Sequence, residues 1–334
     1  MPSDGGNPTP GTGAPGDNDG NPAPDTGAPV LTPSAATALG MFNATPSVWY
    51  GELTTLRTRL GDTRLGEQEG GAWVRAIGGQ LKMHDANGEG YSQNQSGISV
   101  GVDNAMDIGD NSKMLLGVFS GYSRSDLDFT RNSSGTIDST FVGGYSTFIL
   151  QNGWFIDNVI KANNFSSHTN ARMSDGTLVD GSDSTQGVGL SVELGRRINF
   201  NQGWFIEPSA QISTLWVKGA DYHLSNGLQA NSDQASSKQG ALHTVLGRTL
   251  KLQNGMQIQP WVRASLIEEF AKNNKVSIND NAFNNDMSGL RGEFTLGTSA
   301  QVTKDLQIYT EANYSKGERI ETPWGASLGL RWSW

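Results

Sequence analysis

The chain has no cysteine in its 334 residues, so a disulfide framework and a thiolate metal site are both excluded. No run of about 18 apolar residues occurs, so no transmembrane helix is predicted. A spanning strand gives lipid only every second residue, so 35% hydrophobic content and a mean hydropathy of −0.44 still allow a strand-built membrane protein. Basic residues are outnumbered, 24 to 33, and the net charge of −9 argues against nucleic acid as a partner. Histidine is scarce: His84, His168 and His223 fall in or beside polar loops, and only His243 sits mid-strand. A hydrolase needs a nucleophile with a positioned histidine, and a lone one is read as structural. No clustered metal-ligand spacing and no P-loop occur, so neither metal nor cofactor is expected. The aspartates at 175, 180 and 183 are read as solvated loop charges rather than a weak calcium site. The start, Met1-Pro-Ser-Asp-Gly-Gly, has neither a basic n-region nor an apolar h-region. A secreted parent would need both, so the chain is expected to be the C-terminal part of a longer protein, with Met1 added.

What the chain has in quantity is glycine, 43 residues, in an alternating pattern. The last eleven residues show it most clearly. Leu328, Leu330, Trp332 and Trp334 point one way; Ser327, Gly329, Arg331 and Ser333 point the other. A period of two with one apolar face is a half-buried strand. A bare aromatic edge strand recruits other chains, and closing the sheet into a barrel in lipid removes that edge. The expected fold is therefore all-β, a twelve-stranded antiparallel outer-membrane β-barrel, with this as the closing strand.

Three regions follow. Residues 1–33 are rich in Pro, Gly, Asp, Asn and Thr and read as a flexible linker. Residues 34–70 hold the one helical pattern. Pro46-Ser47 is read as its start, with Ser47 as N-cap. Trp49, Leu53, Leu56 and Leu60 then recur on one face, with Glu52, Arg57, Arg59 and Arg64 among them and Gly61 and Gly66 as possible ends. Pattern alone fits an amphipathic helix on any core; the sharper expectation puts it inside the barrel. Residues 71–334 read as strands near 71–84, 93–109, 112–128, 135–150, 153–168, 184–200, 203–219, 236–252, 255–271, 287–302, 304–316 and 324–334. Short turns at Asn152-Gly153, Gln202-Gly203 and Asn254-Gly255 are expected at one end, the periplasmic one. Polar stretches from Ser123 to Thr136, His168 to Thr185, Ser225 to Ser237 and Asn273 to Met287 are expected to be outer loops. Facing apolar residues outward turns Arg75, Asp103, Asp157, Lys161, Glu193, Glu207, Arg263, Glu293, Glu311 and Arg331 inward. Mid-strand charges are too costly for lipid or a dry core and are tolerable in a wet or helix-filled lumen.

Ser47-Val-Trp-Tyr-Gly-Glu-Leu-Thr-Thr-Leu-Arg-Thr-Arg-Leu-Gly-Asp-Thr-Arg64 followed by Gly71-Ala-Trp-Val-Arg75 resembles the helix-to-first-strand junction of translocators of monomeric type V autotransporters. The similar subgroup holds pertactin, the serum-resistance protein and the diffuse-adherence adhesin. Gly143-Gly-Tyr145, Gly203-Trp-Phe-Ile-Glu-Pro208, Tyr314-Ser-Lys-Gly317 and Pro323 through Trp334 extend the resemblance over about residues 45–334. It implies a barrel with a helix threaded through its pore, a monomer in the Gram-negative outer membrane. Such a barrel exports its own N-terminal passenger, commonly an adhesin or virulence factor, and then anchors it. The implied partners are outer-membrane lipid, the passenger, periplasmic chaperones and the barrel-assembly machinery, which would read Leu330, Trp332 and Trp334. Some relatives cut the passenger off with an acidic lumen residue and an asparagine pair in the helix. This helix segment has no Asn-Asn, and its nearest asparagine, Asn43, precedes Ala44, so such self-cleavage is not expected here. A porin-like channel, an outer-membrane hydrolase and a soluble β-sandwich are the competing readings; a porin would lack the linker and helix.

Overall fold

A computed structural model describes residues 32–53, 70–84 and 90–334, apart from 110, 174, 254, 273 and 280. The linker up to residue 31 and the helix positions Leu56, Arg57, Arg59, Leu60 and Arg64 lie outside the described residues.

Twelve long strands follow one another among the described residues. They are β1 (Gly70–His84), β2 (Gly90–Asp107), β3 (Lys113–Phe129), β4 (Ser134–Ile149), β5 (Trp154–Arg172) and β6 (Leu178–Arg196). Then come β7 (Trp204–Val217), β8 (Ala235–Arg248), β9 (Gln257–Glu269), β10 (Gly289–Gln301), β11 (Leu306–Gly317) and β12 (Ile320–Ser333). Each is antiparallel to the next, and β12 returns to β1 with Gly71 opposite Ser333 and Met83 opposite Ile320. The sheet is a closed twelve-stranded barrel, as expected, and its backbone donors and acceptors are met within the ring.

The two faces follow the alternation. Val188, Leu190, Val192 and Leu194 on β6, Phe294 and Leu296 on β10, and Leu328, Leu330, Trp332 and Trp334 at the end of the chain are exposed on the outside. Their neighbours Ser191, Thr295, Ser299, Ser327 and Arg331 are buried inside. Trp154, Phe200, Trp204, Trp332 and Trp334 stand exposed near one end of the barrel, and Tyr122, Trp216, Tyr314 and Trp324 near the other. An apolar belt between two aromatic girdles is the exterior that a bilayer requires.

Inside the wall, eight aromatic rings each stand directly opposite a glycine of the neighbouring strand. The pairs are Trp73–Gly101, Phe119–Gly143, Phe141–Gly121, Tyr145–Gly117, Phe155–Gly195, Phe205–Gly247, Trp261–Gly297 and Tyr309–Gly329. A Cβ on any of these glycines would run into the ring opposite. The ring therefore lies along the wall and covers backbone that glycine leaves bare, which pins strand register.

The turns after β4, β6 and β8 share one end of the barrel. There Gly153 and Gly203 take φ of 85° and 80°, which glycine adopts without strain. At the other end, two connections fold into a small sheet in the order Asn281–Asn285, Asn274–Ile278, Gln229–Ser232, Asp221–His223.

Two expectations need correction. The stretches Ser123–Thr136 and His168–Thr185 are largely strand: Asp128 pairs with Ser134, and Asn170 pairs with Asp180. Beyond the lipid belt a strand needs no apolar face, and its backbone ladder continues through polar residues. The helix also begins earlier than its amphipathic pattern suggested. It spans Pro33–Glu52, with Thr32 as N-cap accepting from the Ala35 amide at 3.4 Å and Pro33 in the first turn, where a missing N–H costs nothing. Pro46 is interior to it. Ser47 is no cap: its Oγ lies 2.7 Å from the Ala44 carbonyl and 2.5 Å from Gln93 Oε1, two acceptors that share its one hydroxyl proton. The helix is buried on nearly every face, so no apolar stripe marks it out.

Candidate functional site: the helix seat in the lumen

The helix lies inside the barrel. At the loop-rich end its Phe42 ring meets Tyr222 edge-on, centroids 5.1 Å apart. Leu39, Met41 and Phe42 pack there with Val179, Leu224, Ala230 and Ile278, forming an apolar collar. At its other end polar groups take over. Ser47 bonds Gln93 of β2, Gln95 Nε2 donates to the Val48 carbonyl at 3.0 Å, and Tyr50 Oη lies 2.9 Å from Ser237 Oγ on β8.

A close polar cluster surrounds Glu52, which is 1% exposed. Its Oε2 accepts from Lys161 Nζ at 2.7 Å and from Asn163 Nδ2 at 2.6 Å, and its Oε1 accepts from Ser123 Oγ at 2.6 Å. Lys161 also donates to the Trp49 carbonyl at 2.9 Å. That carbonyl belongs to the last helical turn, where acceptors lack intrahelical donors and the helix dipole favours a cation. The same ammonium stands 4.8 Å from the Trp49 ring and 4.9 Å from the Phe141 ring, within cation–π range. Trp49 lies against Gly189 of β6. Gly189 is flanked by Lys161 and Leu215, so its aromatic cover comes from the helix rather than the wall.

The other inward charges occupy separate places. Arg331 forks onto Asp103 at 2.7 and 2.6 Å, and Tyr145 Oη donates to the same carboxylate at 2.6 Å. Asp157 accepts from Thr147 Oγ1 at 2.5 Å, and Glu193 accepts from Ser209 Oγ at 2.6 Å. Arg263 reaches Glu293 at 3.3 Å. Arg75 and Glu207 are buried on the inner face, and Glu311 is half-buried there. A cavity of about 280 Å³ remains between the helix and the wall from β7 round to β2, lined by Arg75, Gln211, His243, Arg263, Glu293 and Glu311 among others. Leu53 borders it just past the helix end. His243 faces Ser265 Oγ at 2.8 Å and the amide oxygen of Gln211 at 3.1 Å; a hydrolytic triad would place a carboxylate where that amide stands.

The expected ion pairs between Arg57, Arg59 or Arg64 and Glu193, Glu207 or Glu311 fall outside the described residues. Sequence reasoning named both Glu52 and Lys161 without pairing them, and it missed Ser123 and Asn163. The available signal was Asn163 two residues beyond Lys161, hence on the same inward face.

A closed barrel with a lipid-facing belt, a polar inner wall and a helix of its own chain in the pore defines an outer-membrane barrel of the plugged, single-chain kind. The profile of the Autotransporter beta-domain family matches residues 72–313, and the chain belongs to that family. It is 34% identical over 301 residues to pertactin of Bordetella parapertussis, which covers 90% of this chain and 32% of pertactin. The chain thus spans about a third of the length of that relative. Among solved structures, the β-domain of the Bordetella autotransporter BrkA superposes with a TM-score of 0.70 at 26% identity, covering 80% of this chain and all of that one. The transport unit of AIDA-I from Escherichia coli gives 0.66 at 18% identity over 91% of this chain and all of that one, a likeness of fold. The protein is an outer-membrane protein of the Gram-negative type, and a translocator domain of this kind is not itself catalytic.

Proposed function

We propose that the barrel exports the segment of its own chain that precedes the helix, and that the helix then occludes the pore. One observation carries this reading: the helix enters the lumen from the loop-rich end, while the first strand begins at the opposite end. Phe42 packs at the loop-rich end, Glu52 reaches the inner wall at Lys161, and β1 starts at Gly70, bonded to Trp334 at the opposite end. The loop-rich end would face the medium and the turn-bearing end the periplasm. A lumen lined by Glu, Asp, Arg, Ser and Gln stays hydrated, so an extended polar chain passes without a desolvation penalty. Folding of the passenger outside would make its movement one-way.

Periplasmic chaperones and the barrel-assembly machinery are the proposed partners on the way in. Leu330, Trp332 and Trp334, all outward-facing, form the proposed assembly signal. The passenger is read as staying attached: among the described residues, the pocket beside Asn43 is lined by Ala36, Gly40, Gly90, Tyr91, Phe129 and Thr130, without a carboxylate to assist cleavage.

Planar-bilayer recording tests the plug. Removing the residues before Gly71 raises conductance severalfold, and an unchanged conductance rejects occlusion by the helix. Export is tested with an epitope fused ahead of residue 1. Protease added to whole cells removes it when the barrel is intact, and an epitope that stays protected in cells with a folded barrel rejects export.

A further inference from the structure

The helix in the pore carries one charge in twenty residues, Glu52. Apart from the polar contacts of Ser47 and Tyr50 near its end, most of its surface is small or apolar and buried, and apolar packing has no direction. Sliding by one turn, about 5.4 Å, exchanges one set of apolar neighbours for another and barely marks a position. The wall, by contrast, is marked at two points that the helix reaches with one face. Lys161, Asn163 and Ser123 form a socket of three donors around a carboxylate, and Gly189 leaves a hollow that a ring fills. Trp49 and Glu52 are three residues apart, the spacing of side chains that share a helix face. Residues 1–48 hold neither tryptophan nor glutamate, so the stretch just ahead of the helix end does not offer the same pair.

We propose that Trp49 and Glu52, received by Gly189 and by the Lys161–Asn163–Ser123 socket, fix the register at which the threaded chain comes to rest. The idea rests on the reading that the chain threads the pore. Away from this register Lys161 is buried without its anion while the apolar contacts stay nearly level, so the charge selects the position that the collar alone leaves open. The bond to the Trp49 carbonyl ties the same ammonium to the last helical turn, so the socket reads the helix end as well as the carboxylate.

The natural absence of cysteine makes disulfide trapping in the full chain clean. Ser47→Cys with Gln93→Cys reports the observed register, since these side chains meet at 2.5 Å. Asn43→Cys and Gly51→Cys, each with Gln93→Cys, report a shift of one turn either way. Only the band whose mobility changes on heating is counted, so an unfolded barrel does not contribute. The unmodified seat gives crosslinking at 47 alone. Glu52→Gln, Lys161→Met or Trp49→Ala spreads the yield to 43 or 51 and lowers it at 47 by about tenfold or more. Crosslinking confined to 47 in both Glu52→Gln and Trp49→Ala overturns the proposal. A fused epitope that reaches the surface in those same variants separates this result from a failure of threading itself.

Discussion

Leu296 and Leu290 lie on β10 with outward side chains, 65% and 49% exposed, but at different depths. A strand rises ~3.4 Å per residue and is tilted ~40° in a barrel, so each residue climbs about 2.6 Å along the membrane normal. Leu296 stands five residues from the strand end at Gln301, about 13 Å in, the middle of an apolar belt ~25 Å tall. Leu290 stands eleven residues from that end, about 29 Å in and therefore past the belt. Arginine at the midplane of a barrel costs about 2–4 kcal/mol and near the interface about 0–1. Leu296→Arg should thus destabilise more than Leu290→Arg by about 2–3 kcal/mol, roughly two decades in the unfolding constant. Reversible urea unfolding in lipid vesicles, followed by tryptophan fluorescence, measures both. Equal costs at the two positions would refute the assignment of this face to hydrocarbon, because a water-facing or protein-covered surface has no reason to grade arginine by depth along the strand.

Three further outcomes are expected. Lys161→Met leaves Glu52 buried without its cation and weakens helix seating by about 3–5 kcal/mol, whereas Lys161→Met with Glu52→Leu recovers most of that loss; the frequency of open bursts in a planar bilayer reads both. Arg331→Ala strands Asp103 inside the wall and lowers the urea midpoint by an amount worth about 3–5 kcal/mol, while Arg124→Ala, whose partners Asp126 and Asp138 lie in the exposed rim, leaves the midpoint nearly unchanged. In the β5–β6 turn, bonds from the Thr177 amide and hydroxyl hold the Asp175 carboxyl below its ordinary range. A depressed value means that the turn's stabilisation is present above the ordinary carboxylate range and fades as pH falls through the lowered value; amide exchange at Thr177 measured over acid pH should quicken there, and Asp175→Asn should flatten that dependence.

The barrel was legible because its constraint repeats at every second residue. Val188 to Leu194 and Leu328 to Trp334 announce a lipid face by alternation alone, and the inward charges follow by default once that face is assigned. The helix start was not legible. A helix enclosed on all sides has no apolar stripe, so Pro33 to Val48 offered no periodicity, and Pro46 looked like a beginning when it is an interior residue whose neighbourhood is held by Ser47 bonding back to Ala44. The strand tips beyond the belt were hidden for a related reason. Asp128 and Ser134 pair through backbone only, and backbone pairing leaves no mark in side-chain pattern. The Glu52 socket draws Ser123, Lys161 and Asn163 from β3 and β5 onto a helix some seventy to a hundred residues earlier in the chain, and alternation fixes which face each residue occupies but not how far along the pore the helix sits.

The division of labour along the helix explains why a single buried charge is enough. Before the helix occupies the lumen, Lys161, Asn163 and Ser123 face water. Seating the helix removes that water, and the attraction between Glu52 and Lys161 does little more than offset the desolvation of both. Net affinity must therefore come from the other half of the helix, where Leu39, Met41 and Phe42 are fully or nearly fully buried, each worth about 1.5–3 kcal/mol when taken out of water. Such contacts hold without specifying where. A charge pair that roughly breaks even in place but is costly when misplaced has the complementary property: it adds little to the grip and selects the position. A helix with several charges would meet partial partners at several depths and lose that selectivity. One with none would be held anywhere its apolar half fits. The observed helix, apolar at the loop-rich end with its only charge at its last residue, combines a non-directional hold with a charged stop.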